Sequence, residues 1–208
     1  MGVTTLEKTK LIEWAVAARP LAGQTASGDL HVVGSFEQGA LLAVIDGIGH
    51  GDQARAVAQT AANILKQNAR ESGIALVKRC HEALAKTRGA VMTLASVDAL
   101  NNTVTWIGVG NVEARLFRAE ADVSHPCEHI LLRGGLVGLQ LPALQATIMP
   151  LAAGDLLVFA TDGIQTGFEG GINLTEPARQ IADGILNRHF KGTDDALALV
   201  VRYHGPSL

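Results

Sequence analysis

Apolar residues along this chain fall mostly into short blocks rather than long ones. Residues 40–45, 156–160 and 196–203 are almost continuously apolar over strand length, the pattern of strands covered on both faces. Residues 12–18, 31–36, 91–97, 104–109 and 113–118 read as further strands. Glu37-Gln38-Gly39, Asn101-Asn102 and Gly110-Asn111 supply turns between successive runs. Residues 128–132 and 146–149 are shorter strand candidates. Three stretches have helical spacing instead. Over residues 52–70, Ala54, Val57, Ala58, Ala61, Ile64 and Leu65 share one face, and Gly73 lies just past the end. Over 74–86, Ile74, Val77, Leu84 and Ala85 lie on or near one face. Residues 174–187 form the third, with Thr175-Glu176-Pro177 at its start.

The order is strands, two consecutive helices, a run of strands, a helix and a last strand. Strands and helices do not alternate one for one, which disfavours a doubly wound parallel sheet. Consecutive strands joined by tight turns form antiparallel sheets. The pattern predicts an α+β fold: a four-layer α-β-β-α sandwich of two antiparallel sheets flanked by helices. No linker or low-complexity segment interrupts the chain, so residues 1–208 are expected to form one domain.

Composition narrows the function. The chain has 208 residues, 48% of them hydrophobic, enough for a substantial core. Its apolar runs are far shorter than a membrane span, and its N-terminus lacks the basic-then-apolar order of a signal peptide. Cys80 and Cys127 make no disulfide framework, so free thiols and a cytoplasmic location are expected. The net charge of −3 comes with no Lys/Arg cluster, and aromatics are only 4% of residues. Both facts argue against a nucleic-acid surface.

The candidate chemistry lies in four acidic stretches: Ser27-Gly28-Asp29, Asp46-Gly47-Ile48-Gly49-His50-Gly51, Thr161-Asp162-Gly163 and Asp194-Asp195. The second and third each follow an apolar run, and the fourth precedes one. A carboxylate at the end of a buried strand is costly to desolvate unless something neutralises it. Several converging carboxylates repel one another unless a cation sits among them. Hard divalent ions suit such a set. Each stretch also has a plainer reading. Asp162-Gly163 alone is a common turn, Asp194-Asp195 alone a solvated loop, and Asp52 a helix cap. Capping does not explain Asp46. A dinucleotide-binding loop fails at residue 52, where aspartate stands in place of the third glycine, and the helix there leads to another helix.

Together these motifs resemble the PPM (type 2C-like) metal-dependent Ser/Thr phosphatases, in their bacterial SpoIIE-like branch. Arg79-Cys80-His81-Glu82-Ala83, Lys86-Thr87-Arg88-Gly89-Ala90 and Val109-Gly110-Asn111-Val112 bring the chain near the small single-domain phosphatases of stressosome systems. The resemblance covers nearly the whole chain. It implies two ions, Mn²⁺ or Mg²⁺, with Asp46 bridging them and the Gly47 carbonyl holding one. Asp162 and Asp194 would bind the other. Asp29 would bind through water or help hold a third ion. The reaction implied is hydrolysis of phosphoserine or phosphothreonine by an activated water, with Asp46, Asp162 and Asp194 acting through that water. The implied partners are phosphorylated STAS-domain proteins of a stressosome-like complex, with no nucleic acid or membrane.

Two other functions keep the same fold: a catalytically silent binding module, and a hydrolase of a small phosphorylated molecule. The complete acidic set argues against the first. The general acid is open between His50 and a water. No arginine stands beside an acidic motif in sequence, which leaves phosphate binding to the metals. His125-Pro126-Cys127-Glu128-His129 fits no standard four-ligand zinc spacing and reads as a polar loop. Residues 133–138 form a glycine-rich loop able to flank the site, and residues 165–171 follow Asp162 directly.

Overall fold

The computed structural model describes residues 3–8, 11–120 and 127–206. Two antiparallel sheets face each other, with helices on both outer surfaces. The first sheet contains β1 (Val3–Lys8), β2 (Ile12–Arg19), β7 (Glu113–Phe117), β8 (Glu128–His129), β11 (Leu156–Ala160) and β12 (Ala196–Tyr203), in the order β1-β2-β12-β11-β7-β8. The second contains β3 (Asp29–Phe36), β4 (Gly39–Gly47), β5 (Ala90–Asp98), β6 (Thr103–Val109) and β10 (Thr147–Pro150), in the order β10-β6-β5-β4-β3. The short β9 (Leu132–Arg133) pairs parallel with β6. Helices α1 (Gly51–Gln67) and α2 (Gly73–Ala83) cover the second sheet, and α3 (Ala178–His189) covers the first.

The near-continuous apolar runs follow from these layers, since each sheet is buried on both faces. In β4, Ala40, Leu42 and Val44 point between the sheets, while Leu41, Ala43 and Ile45 pack beneath α1 and α2. In β12, Leu197, Leu199 and Val201 point inward, while Ala196, Ala198 and Val200 lie beneath α3. Successive side chains of a strand alternate faces, so both sets must be apolar. Trp106, Phe159 and Tyr203 fill the middle layer. The sandwich is the fold class that the pattern predicts.

Several boundaries differ from expectation. β1, whose Val-Thr-Thr-Leu-Glu-Lys sequence lacks a continuous apolar run, pairs along β2 from Val3↔Ala18 to Lys8↔Glu13. The single strand expected at 128–132 is two short ones in different sheets, β8 on β7 and β9 on β6. Asp52 lies in the first turn of α1 rather than at its cap, which is His50. There its charge still favours the helix through the macrodipole. Gly73 opens α2 instead of closing α1, and the Ser72 side chain accepts from Ala75 N–H as its N-cap. No helix among the described residues is long and apolar enough to cross a membrane.

Candidate metal centre

The register of the sheets carries the acidic motifs to common ground. β3 and β4 pair so that Asp29 stands opposite Asp46. On its other side Asp46 faces Val91 of β5. β11 and β12 pair from Leu156↔Arg202 to Ala160↔Ala198. Asp162 therefore leaves β11 beside the place where Asp194-Asp195 enters β12. A cleft of about 480 Å³ receives Asp46, Asp162 and Asp194 together, with Ile48, Gly49 and Leu136 among its walls.

The glycines that accompany these aspartates are required by close packing. A β-carbon at Gly47 would stand 2.3 Å from the Ala54 carbonyl oxygen of α1. One at Gly163 would stand 1.9 Å from the carbonyl oxygen of Asp195. One at Gly28 would come within 3.0 Å of the Gly47 carbonyl oxygen. The Asp-Gly pairs thus mark points where one backbone passes directly against another.

The electrostatics show the cost of the cluster. Burial, then the charges of Asp162, Asp194 and Asp195, push the Asp46 carboxyl up to about 7. Burial and then the Asp46 charge raise Asp29 well above the ordinary carboxylate range, and a hydrogen bond from Thr161 opposes the rise. Thr161 Oγ1 donates to Asp29 Oδ2 at 2.7 Å and accepts from Leu197 N–H at 2.8 Å, tying β3 to β12. Asn111 Nδ2 donates to Asp162 Oδ2 at 2.9 Å. Lys191 Nζ donates to the Asp162 carbonyl oxygen at 2.6 Å.

Asp29 and Asp195 occupy different positions from the other three. Asp29 is 4% exposed and lines a second cleft, of about 620 Å³, with His31 and Arg55. Burial and then the Lys66 charge lower His31 to about 4 in that cleft. Asp195 accepts from Leu21 N–H at 2.7 Å on one oxygen and from Gly28 N–H at 2.6 Å on the other. Both of its oxygens therefore clamp the segment that leads into Asp29. Asp194 Oδ1 caps Asp195 N–H at 2.8 Å.

The donor set fits a hard divalent cation. The side-chain donors lining the cleft are the carboxylates of Asp46, Asp162 and Asp194 and the Asn111 amide, without thiolate or imidazole, and Gly47 is not among the lining residues. Among the described residues no three His, Cys, Asp or Glu side chains stand close enough together to hold an ion by themselves. An ion here would keep several waters, as Mg²⁺ does where one or two carboxylates bind it. Cations would also relieve the repulsion that raises Asp46. A nucleophilic thiol is not at hand: Cys80 lies on the buried face of α2, and burial pushes it up to about 12.

Some features differ from the sequence reading. Arg88 lies against the acidic loop, because a β-carbon at Gly49 would stand 2.8 Å from its Nη1. No arginine adjoins an acidic motif in sequence, and the fold supplies this one from outside the motifs. β4–β5 pairing creates this contact, which no short motif shows. Asn111 was visible as a turn residue and within the Val109-Gly110-Asn111-Val112 motif, with no role at the site assigned to it. Gly134, Gly135 and Leu136 line the cleft, whereas residues 165–171 and His50 do not. His125 and Pro126 lie outside the described residues, and Cys127 Sγ stands 3.7 Å from His129 Nε2.

Comparison with known proteins gives the family and the fold. Residues 37–204 match the family model described as Stage II sporulation protein E (SpoIIE). Phosphoserine phosphatase RsbX of Bacillus subtilis (strain 168) is 23% identical over 121 residues, covering 58% of this chain and 61% of that protein. The match thus spans less than two thirds of that relative. A chain from work on the bacterial stressosome, described as a modular system adapted to control secondary messenger signaling, is 28% identical. It aligns over 94% of this chain and 100% of its own, with a TM-score of 0.83. RsbX in complex with magnesium aligns over 97% of this chain and 100% of its own, with a TM-score of 0.86 at 18% identity. The PP2C phosphatase domain of SpoIIE from Bacillus subtilis, with a fragment of its regulatory domain, gives 0.74 at 18% identity over 100% of this chain and 71% of that one. The last two show a shared fold.

Proposed function

Because the chain belongs to the SpoIIE family, we propose that it is a metal-dependent protein serine/threonine phosphatase, formed as one domain over residues 1–208. The observation that carries this reading is the meeting of Asp46, Asp162 and Asp194 in one cleft, with no protein nucleophile beside them. Asp46 and the Gly47 carbonyl are the proposed ligands on the β4 side, and Asp162 and Asp194 those on the first sheet. Asp29 supports Asp46 from behind or reaches a third ion. Two ions, Mn²⁺ or Mg²⁺, would supply Lewis acidity for a water nucleophile and charge neutralisation for the phosphoryl oxygens.

The chain's own residues prepare that site. Asn111 fixes the orientation of the Asp162 carboxylate, and Lys191 secures the Asp162 backbone. Thr161 holds Asp29, and Asp195 holds the segment before it. Ile48 and Leu136 give the cleft apolar walls that limit water around a bound phosphoryl group.

The proposed substrates are phosphorylated STAS-domain proteins of a stressosome-like complex, in the cytoplasm. Support comes from a relative named phosphoserine phosphatase RsbX and from the structural likeness to a stressosome chain. The test is phosphate release from a panel of phosphoserine proteins, phosphothreonine proteins and small phosphates with Mn²⁺. Turnover of the phosphoproteins, lost in Asp162→Asn and Asp194→Asn, supports the reading. Turnover of the small phosphates alone would contradict it.

A further inference from the structure

Arg88 occupies a defined place between the two segments that wall the cleft. The turn that carries it is fixed by its own hydrogen bonds. Thr87 Oγ1 donates to the Leu84 carbonyl at 2.7 Å and accepts from Gly89 N–H at 3.0 Å. Ile48 N–H donates to the Gly89 carbonyl at 3.1 Å, which joins this turn to the Asp46–Gly51 loop. On the other side, Ala90 and Val137 exchange backbone hydrogen bonds at 2.9 Å in both directions. A β-carbon at Gly89 would stand 2.6 Å from Leu139 Cδ1. The guanidinium that extends from this junction rests on Gly49, itself a wall of the cleft.

Several other arginines of the protein have evident structural work. Arg118 pairs with Asp155 and Glu128, Arg115 with Glu113, and Arg79 with Glu71. Arg202 donates to two backbone carbonyls. Arg88 is exposed and has no carboxylate partner among the described residues. The charged side chains lining the cleft are Asp46, Asp162 and Asp194, all acidic. Arg88 is not itself a lining residue, but its guanidinium, without a carboxylate partner among the described residues, lies against Gly49 of the wall and is placed for an anion that enters with cations. The planar fork of arginine matches two oxygens of a phosphate monoester.

Resting on the phosphatase reading of the cleft, we propose that Arg88 is the protein's phosphate-binding residue, donating its guanidinium N–H groups to non-bridging oxygens of the substrate's phosphoryl group. Gly49 is then small because the guanidinium lies over it. Any side chain there would meet Nη1 and would also have to adopt the left-handed φ of +94°.

The test is calorimetric titration of inorganic phosphate into the Mg²⁺-loaded protein, for the natural chain, Arg88→Lys and Arg88→Ala, alongside Mg²⁺ titration of each. A charge-assisted hydrogen bond at a partly wet site implies about tenfold weaker phosphate binding in Arg88→Ala. Arg88→Lys should fall between, because it keeps the charge and loses the fork. Mg²⁺ affinity and melting temperature should be unchanged in both, since the side chain is exposed. Equal phosphate affinity in Arg88→Ala and the natural chain overturns the proposal. So does a parallel loss of Mg²⁺ affinity, which marks a structural role, or a failure of the natural chain to bind phosphate. Phosphate binding through Arg88 in a protein that hydrolyses no phosphoprotein would uphold this proposal while refuting the phosphatase reading.

Discussion

Asp46 combines a buried strand end with three acidic neighbours, and its titration follows from that. In the unfolded chain its carboxyl sits near the ordinary value of 3.8, and in the folded protein without metal near 7. Between those values the folded state holds a proton that the unfolded state has released. The contribution of Asp46 to stability is therefore full below about 4 and is lost as pH rises through about 7. Asp46→Asn removes this repulsion. At pH 8 in a chelator the variant should melt several degrees above the natural protein, with the gap closing toward pH 4. Melting curves across that range check the expectation, and a gap independent of pH would count against it. Asp46 was legible in the sequence because an otherwise apolar run ends on it. Asp162, Asp194 and Asp29 were legible only as a set. Arg88 was not, because its contact with Gly49 exists only once β4 pairs with β5.

At the scale of elements, residues 134–140 form a loop held at several points. Leu136 and Gln140 bond through their backbones at 2.8 Å, Val137 bridges to Ala90, and His81 Nδ1 on α2 accepts from Gly138 N–H at 3.0 Å. A β-carbon at Gly138 would come within 2.8 Å of the Leu84 carbonyl. His81→Ala removes one anchor while leaving the backbone bridge. Amide exchange should speed up at Gly138 and its neighbours by about tenfold, the worth of one hydrogen bond. Unchanged exchange there would show that the bridge alone fixes the loop. The sequence showed this loop as a glycine-rich stretch able to flank the site, but not the contacts that hold it. Strands with continuous apolar runs were legible because both faces are buried. β1 was hidden by its mixed composition, and the 128–133 segment by its division between two sheets. Asp52 looked like a cap on residue type alone, but the helix begins one residue before it.

For the whole molecule, the four layers place every proposed ligand at strand ends, so partner selection falls to the surface around the cleft. The loop at 133–138 reaches it, whereas residues 165–171 do not. Remote contacts on a folded partner stabilise the transition state, and a short peptide lacks them. A folded phosphoprotein should therefore show a kcat/KM at least about tenfold above that of its excised phosphopeptide. Equal values would mean that the enzyme reads the phosphorylated residue alone. The sandwich itself and the β5–β6 hairpin were legible from element order and turns, whereas the pairing of β4 with β5, across two intervening helices, was not. The central claim is that Asp46, Asp162 and Asp194 act only through divalent cations. Phosphate release from a phosphoserine protein, followed while free Mn²⁺ is raised and then removed with excess EDTA, tests it most directly. The account predicts turnover that rises with Mn²⁺, stops in EDTA and returns when Mn²⁺ is restored. Full turnover in excess EDTA would contradict it.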